Sequence, residues 1–143
     1  MPVQHKRLGA HGALVRRVED RLAAAGLPEL AWYDVLWTLE QAPDGRLRMS
    51  GLADAVVVAR SNLTRLVDRL ENAGLVRRER VGEDRRGAYA VLTDEGRAMR
   101  SRMWAVYRPA IEAHFGSLLS ADENALLREL MLRLLAAARQ SGG

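Results

Sequence analysis

Apolar and polar positions recur along this chain mostly with a helical period. Between about His5 and Ala25, Leu8, Val15, Val18 and Leu22 fall at helical spacing among arginines and acids, which predicts an amphipathic first helix. Gly26 reads as its stop, and Pro28 as a first-turn residue of the next helix, "PELAWYDVLWTLEQA", with an apolar face through Leu30, Tyr33, Leu36 and Leu39. "PDG" marks a turn, and "RLRM" is long enough for one or two ladder contacts at most. Ser50 is placed to cap a short helix "GLADAVV", and Ser61 to cap a second, "NLTRLVDRLENA", which closes on Gly74. In that second helix Leu63, Leu66, Val67 and Leu70 form a stripe to bury, opposite a polar stripe of Asn62, Arg65, Arg69 and Asn72.

The pattern then changes. "LVRRERV" and "AYAVLT" are β-rich and are joined by "GEDRRG", whose flanking glycines, Gly82 and Gly87, predict a hairpin loop. Thr93 is the expected cap of a long helix with Met99, Met103, Val106, Ala110 and Ile111 on one face. Pro109 lies inside it and predicts a kink or break near Arg108. "SADE", Ser120 to Glu123, is a capping box that opens a last helix carrying Leu126, Leu127, Leu130, Leu134 and Leu135. The order is helix, helix, short strand, helix, helix, hairpin, long helix, helix: a mainly α fold with a small β-hairpin and no internal repeat.

Composition narrows the function classes. A chain of 143 residues, 48% hydrophobic, suits one domain with one core. It has no cysteine, which excludes disulfides, thiolate metal sites, cysteine nucleophiles and cysteine redox sensing together. No run of 18 apolar residues and no apolar N-terminal signal occur, so a cytoplasmic, soluble protein without membrane association is expected. His5, His11 and His114 lack metal-ligand spacing, and no HExxH, P-loop, GxGxxG or GxSxG motif is present. The expectation is a protein that is not an enzyme and holds no metal or cofactor.

Charge matters by its location. The net charge is only +4, but residues 46–102 hold 13 arginines against 8 acids. Two short helices at a tight turn, followed by a hairpin with a basic tip, are the arrangement of a winged helix-turn-helix. A helix that enters the major groove must offer side chains able to bond base edges: Asn62, Thr64, Arg65 and Arg69 are suitable, with Arg60 and Ser61 at the helix mouth better placed for phosphates. An arginine at the hairpin tip reaches the adjacent minor groove, held in pose by a neighbouring carboxylate. Taken alone, the helix could be an ordinary solvated amphipathic one. The alternative function is a winged helix used for protein docking or for non-specific nucleic-acid binding. Docking would more often show aromatic or aliphatic anchors where this chain concentrates arginine.

The segments "LADAV", "TRLVDRLENAGLVRR" and "DRRGAYAVLTDEG" resemble the MarR (multiple-antibiotic-resistance regulator) family of bacterial transcription factors, and the likeness extends over essentially the whole chain. The resemblance implies a homodimer, with about 1–30 and 94–140 forming a helical dimerisation region and about 31–93 the winged helix-turn-helix. It implies a sequence-specific, ligand-responsive repressor that binds double-stranded DNA at a pseudo-palindromic operator and releases it on binding a small aromatic or phenolic effector. By motif, Asp84 and Arg86 resemble the family's wing ion pair, with Arg86 the minor-groove contact and Arg85 a phosphate contact or second candidate. Ser61, Asn62, Thr64, Arg65 and Arg69 match the recognition-helix surface. "VVVAR", Val56 to Arg60, departs from the family, whose turn is usually more polar. The branch that senses peroxides through cysteine is closed to this chain. For an effector, the resemblance points to a cleft bordered by Trp32, Tyr33, Trp37 and Trp104, with His11 and Arg100 as polar partners; core or dimer packing is the competing assignment for the indoles.

Overall fold

A computed structural model describes residues 2–56, 60–80, 82, 87–116 and 118–141. The described elements are α1 (Pro2–Ala24), α2 (Leu30–Gln41), β1 (Arg46–Arg48), α3 (Met49–Ala55), α4 (Arg60–Asn72), β2 (Val76–Arg80), β3 (Ala88–Leu92), α5 (Asp94–Gly116) and α6 (Ala121–Ser141). The chain divides into two compact units, Met1–Tyr107 and Arg108–Gly143. Helix α5 contributes to both and carries Pro109 within its span, so the proline does not end it. A proline removes one donor and crowds one carbonyl, a local loss that the helical bonds before and after it outlast here.

In the first unit the strands form an antiparallel sheet in the order β1-β3-β2. The hairpin pairs Val76 with Leu92 through Arg80 with Ala88. Strand β1 makes three pairs with β3, from Arg46↔Val91 to Arg48↔Tyr89, one more than its length suggested. Side chains help to hold it. The Arg46 and Arg48 guanidinium carbons lie 4.3 and 5.5 Å from the centre of the Tyr89 ring, and Arg48 Nε donates to the Tyr89 hydroxyl at 3.1 Å.

The core gathers Leu36 and Leu39 of α2, Leu52 of α3, the Leu63, Leu66, Val67 and Leu70 stripe of α4, and Val76, Ala90 and Leu92 of the sheet. The stripe expected from periodicity is therefore the one that is buried. On α2 the buried residues are Tyr33, Val35, Leu36 and Leu39, while Leu30 stays half-buried. On α1, Val18 and Leu22 are buried; the side chain of Leu8 lies outside the described residues.

Helix ends follow local chemistry, with three corrections. Gly26 and Gly74 both take positive φ, and the following residues, Leu27 and Leu75, donate back to Leu22 and Leu70 at 2.8 and 3.0 Å. Each bond satisfies a carbonyl that the end of the helix would otherwise leave bare, where a Cβ would be strained. Thr93 caps α5 as expected, its Oγ1 accepting from the Gly96 N–H at 3.0 Å and donating to the Gly74 carbonyl at 2.7 Å. The corrections concern Ser50, Ser61 and Pro28. Helix α3 starts at Met49 straight out of β1, with extended Arg48 at the cap position, so Ser50 lies in its first turn. Helix α4 starts at Arg60, which places Ser61 inside it. Helix α2 starts at Leu30 with Glu29 at the cap, leaving Pro28 before the helix.

In the second unit, Ser120 and Glu123 form the reciprocal capping box of α6: Glu123 accepts from the Ser120 N–H at 2.9 Å, and the Ser120 hydroxyl accepts from the Glu123 N–H at 3.2 Å. The bond from the Ser120 N–H holds the Glu123 carboxyl below its ordinary range. Leu126, Leu130, Leu132 and Leu134 leave a large apolar surface in solvent on the isolated chain. A cleft of about 560 Å³ lies between the end of α5 and the start of α6, lined by Ile111, Ala121, Ala125 and Leu127 among others.

Candidate nucleic-acid interface

Burying one stripe of α4 turns the opposite stripe outward. Ser61, Asn62, Thr64, Arg65, Asp68, Arg69 and Asn72 are all exposed on it. A shallow depression of about 540 Å³ runs along this face, lined by Ala31 at the start of α2 and by Asn62, Arg65, Leu66, Asp68 and Arg69.

The arginines on this face are not equivalent. Arg65 has no hydrogen-bond or ion-pair partner among the described residues and points its charge into solvent. Arg69 instead reaches back to the cap residue of α2, its Nη2 lying 3.1 Å from Glu29 Oε1. Both partners are about half exposed, so this pair contributes little stability, but it directs where the Arg69 cation sits. Glu29 was not foreseen from the sequence. Nothing in the spacing of 29 and 69 signals it, because the contact joins the surface ends of two elements that only the packed core brings side by side.

Strand β2 supplies a second unforeseen group. Alternation along the strand sends Arg78 to the same face as the buried Val76, toward α4. There Nη1 lies 2.7 Å from Asp68 Oδ1 and 3.3 Å from Glu71 Oε1, and Nη2 donates to the Thr64 carbonyl at 3.3 Å. The Arg78 N–H donates to the other Glu71 oxygen at 2.9 Å. Thr64, Asp68 and Glu71 follow one another at i, i+4 and i+7, a stripe along the β2-facing edge of the exposed face of α4. That spacing, with an arginine at an inward position of the next strand, is the sequence signal that could have revealed the contact. On the outer face of the sheet Arg77 pairs with Glu79 at 2.8 Å, and Arg46 approaches the same carboxylate at 3.6 Å.

The wing residues Asp84, Arg85 and Arg86 lie outside the described residues, as do Val57, Val58 and Ala59 of the turn and the side chain of Arg60. The hairpin that carries the wing is described up to Arg80 on one strand and from Gly87 toward the other, with Gly82 at positive φ between them.

Of the effector candidates, Trp32 packs against the core beneath α2. Tyr33, Trp37 and Trp104 are brought together: Tyr33 stacks on Trp37 and Trp104 at centroid distances of 6.3 and 6.1 Å, and Tyr107 meets Tyr33 edge-on at 5.1 Å. Trp37 and Trp104 are 41% and 37% exposed, so the cluster is open on one side in the single chain. Arg100 lies 5.3 Å from the Trp37 ring and forms a mostly buried ion pair with Glu40, whose Oε2 faces its Nε. Burial pushes the Tyr33 hydroxyl above its ordinary range, against the opposing pull of its bond from Arg100. Burial likewise raises Tyr107. Glu40 and Tyr107 complete a cluster that periodicity alone did not assemble. The side chain of His11 lies outside the described residues. Among the described residues no group of His, Asp and Glu is arranged to hold a metal ion, and no described helix is long and apolar enough to cross a membrane.

Known proteins share this fold. The MarR family model matches residues 25–87. AbsC, a MarR family transcriptional regulator from Streptomyces coelicolor, superposes with a TM-score of 0.74 at 30% identity, covering 96% of this chain and 93% of AbsC. Sco3205, a MarR family transcriptional regulator of the same organism solved in complex with DNA, superposes with a TM-score of 0.77 at 32% identity, covering 95% of this chain and 84% of Sco3205. The HTH-type transcriptional regulator PrsX of Escherichia coli is 34% identical over 119 residues, 83% of this chain and 70% of PrsX.

Proposed function

This chain belongs to the MarR family of transcriptional regulators, and we propose that it acts as a homodimeric repressor that binds a pseudo-palindromic site on double-stranded DNA. The observation that carries this reading is the outward stripe of α4, polar throughout and with Arg65 unpaired, standing beside a hairpin. A helix of this size fits the major groove, and an unpaired guanidinium is free to make the two hydrogen bonds that read guanine. In the proposal Asn62, Thr64 and Arg65 face base edges, and Arg60 and Ser61 face phosphates. Arg86 enters the minor groove beside Asp84, and Arg85 takes a phosphate.

The exposed leucines of α6 support the homodimer. An apolar surface of this extent is unfavourable in water and is normally covered by a partner. We assign about 1–30 and 94–140 to dimerisation and about 31–93 to DNA. The open aromatic cluster of Tyr33, Trp37 and Trp104 beside Arg100 is proposed to take a small aromatic or phenolic effector, through stacking and the guanidinium.

Selection of randomised duplexes by the purified protein at two salt concentrations tests the reading. Enrichment of an inverted repeat, with half-sites about one helical turn apart or a multiple of it, is expected from two-fold symmetry. Arg65→Ala should then relax the preference at one position per half-site by about 1–3 kcal/mol. Binding of all duplexes alike would replace regulation with a non-specific role, and no binding at low salt would favour protein docking.

A further inference from the structure

Helix α4 places two acids, Asp68 and Glu71, close to the face assigned to DNA, and both are engaged by one residue of the neighbouring strand. The Arg78 side chain spans three partners on three successive positions of one helical stripe, donating to the Thr64 carbonyl and to Glu71 Oε1, each at 3.3 Å, and pairing its charge with Asp68 Oδ1 at 2.7 Å. Its own N–H donates to the second Glu71 oxygen at 2.9 Å, so Glu71 is bonded to both the backbone and the side chain of β2. The Arg78 side chain is three-quarters withdrawn from solvent, whereas those of Arg69 and Arg77, also paired, are more than half exposed. Only a planar fork with several fixed donors can serve these acceptors together; an ammonium is a single point of charge.

The position of this contact gives it a consequence. Strand β2 is one arm of the hairpin that carries the wing, and α4 is the helix proposed to read bases. Core contacts between Val76 and the Leu66 to Leu70 stripe hold the two together, but apolar contacts tolerate sliding and rotation. A directional fork over two turns of helix does not. We propose that Arg78 is a positioning residue for DNA recognition: it sets the register and rotation of α4 against the wing-bearing strand, so that helix and wing seat in adjacent grooves at once. Arg78 touches no base in this scheme. Its role rests on the function proposed above.

Positioning and charge make opposite predictions. Non-specific binding follows charge and is indifferent to the register of helix against wing, whereas discrimination requires both to seat together. Arg78→Lys keeps the charge and removes the fork. On random duplex its affinity should stay within about twofold of the parent, with an unchanged salt slope. Its preference for the selected site over random DNA should fall roughly tenfold, the loss expected when about one charge-assisted hydrogen bond of positioning is missing. Glu71→Ala is the second variant. It removes the acceptor that bonds β2 twice and also removes an anion, so charge alone would tighten binding to every duplex, while loss of positioning lowers the preference. Thermal melts at equal protomer concentration confirm that each variant is folded at the assay temperature, and Glu71→Ala carries the test if Arg78→Lys is not. Full preference in the folded variants overturns the proposal, as does an equal loss on specific and random DNA. If the parent protein itself shows no preference, the regulatory reading fails first.

Discussion

Replacing Gly96 by alanine tests the seam between the hairpin and α5. A Cβ at Gly96 would lie 2.2 Å from the Leu75 carbonyl oxygen and 2.6 Å from Leu92 Cδ1. The leucine methyl can rotate away, but the carbonyl cannot, because Leu75 is tied on both sides. Its N–H donates to Leu70 at 3.0 Å and its oxygen accepts from Thr93 at 3.2 Å. Relief requires α5 and the start of β2 to separate by about 1 Å, which stretches the Thr93 bond and opens the packing around Leu92. Overpacking of this kind costs about 1–3 kcal/mol, and a backbone obstacle places Gly96→Ala near the upper end. Alanine returns about 1 kcal/mol through its better helix propensity. The net destabilisation is about 2 kcal/mol, a fall of roughly 4–8 °C in melting temperature for a chain of this size. Circular dichroism melts measure it, at one fixed protomer concentration because assembly shifts the midpoint. Gly51→Ala in α3 is the control, since nothing lies within 4 Å of its added Cβ, and it should melt no lower than the parent. A Gly96→Ala protein that melts at or above the parent would refute the steric argument.

Two further perturbations follow from the ion pairs and caps. Glu29→Gln should leave the melting temperature unchanged, because its pair with Arg69 is about half exposed, yet free Arg69 for phosphate and steepen the dependence of log K on log salt by about 0.9; an unchanged slope would show that Arg69 does not gain a phosphate. Glu123 has a depressed folded pKa, so the stability it adds to α6 is present above its ordinary value of 4.5 and is lost as pH falls through the folded value. Glu123→Gln should therefore flatten the acid limb of stability measured by chemical denaturation between neutral pH and that region, and an identical limb in both proteins would remove the cap as its cause.

The order of elements, the buried stripe of α4 and its polar opposite, the hairpin, and the capping roles of Gly26, Gly74, Thr93 and the Ser120–Glu123 box were all legible in the sequence. These rest on local physics. A 3.6-residue or two-residue period, a hydroxyl one turn from a bare N–H, or a glycine free to take positive φ acts within a few residues and is written in consecutive letters. The outer face of α4 was legible for the same reason, because a helix that buries one side must expose the other. The remaining features lie between elements and come from packing. Ser50 and Ser61 are good caps by type, but the entry angle of the chain from β1 and the start of α4 at Arg60 place them inside their helices. Strand β1 makes a third pair because Tyr89, 41 residues beyond Arg48, covers it with a ring. Arg65 and Arg69 are the same residue four positions apart on one stripe, yet only Arg69 meets Glu29. Arg78 reads as one more basic residue of a strand until the sheet turns it onto Asp68 and Glu71. Hydrogen bonds and ion pairs act over about 3 Å, so their partners depend on how helices and strands are rotated against each other, and that rotation is set by packing of the whole core.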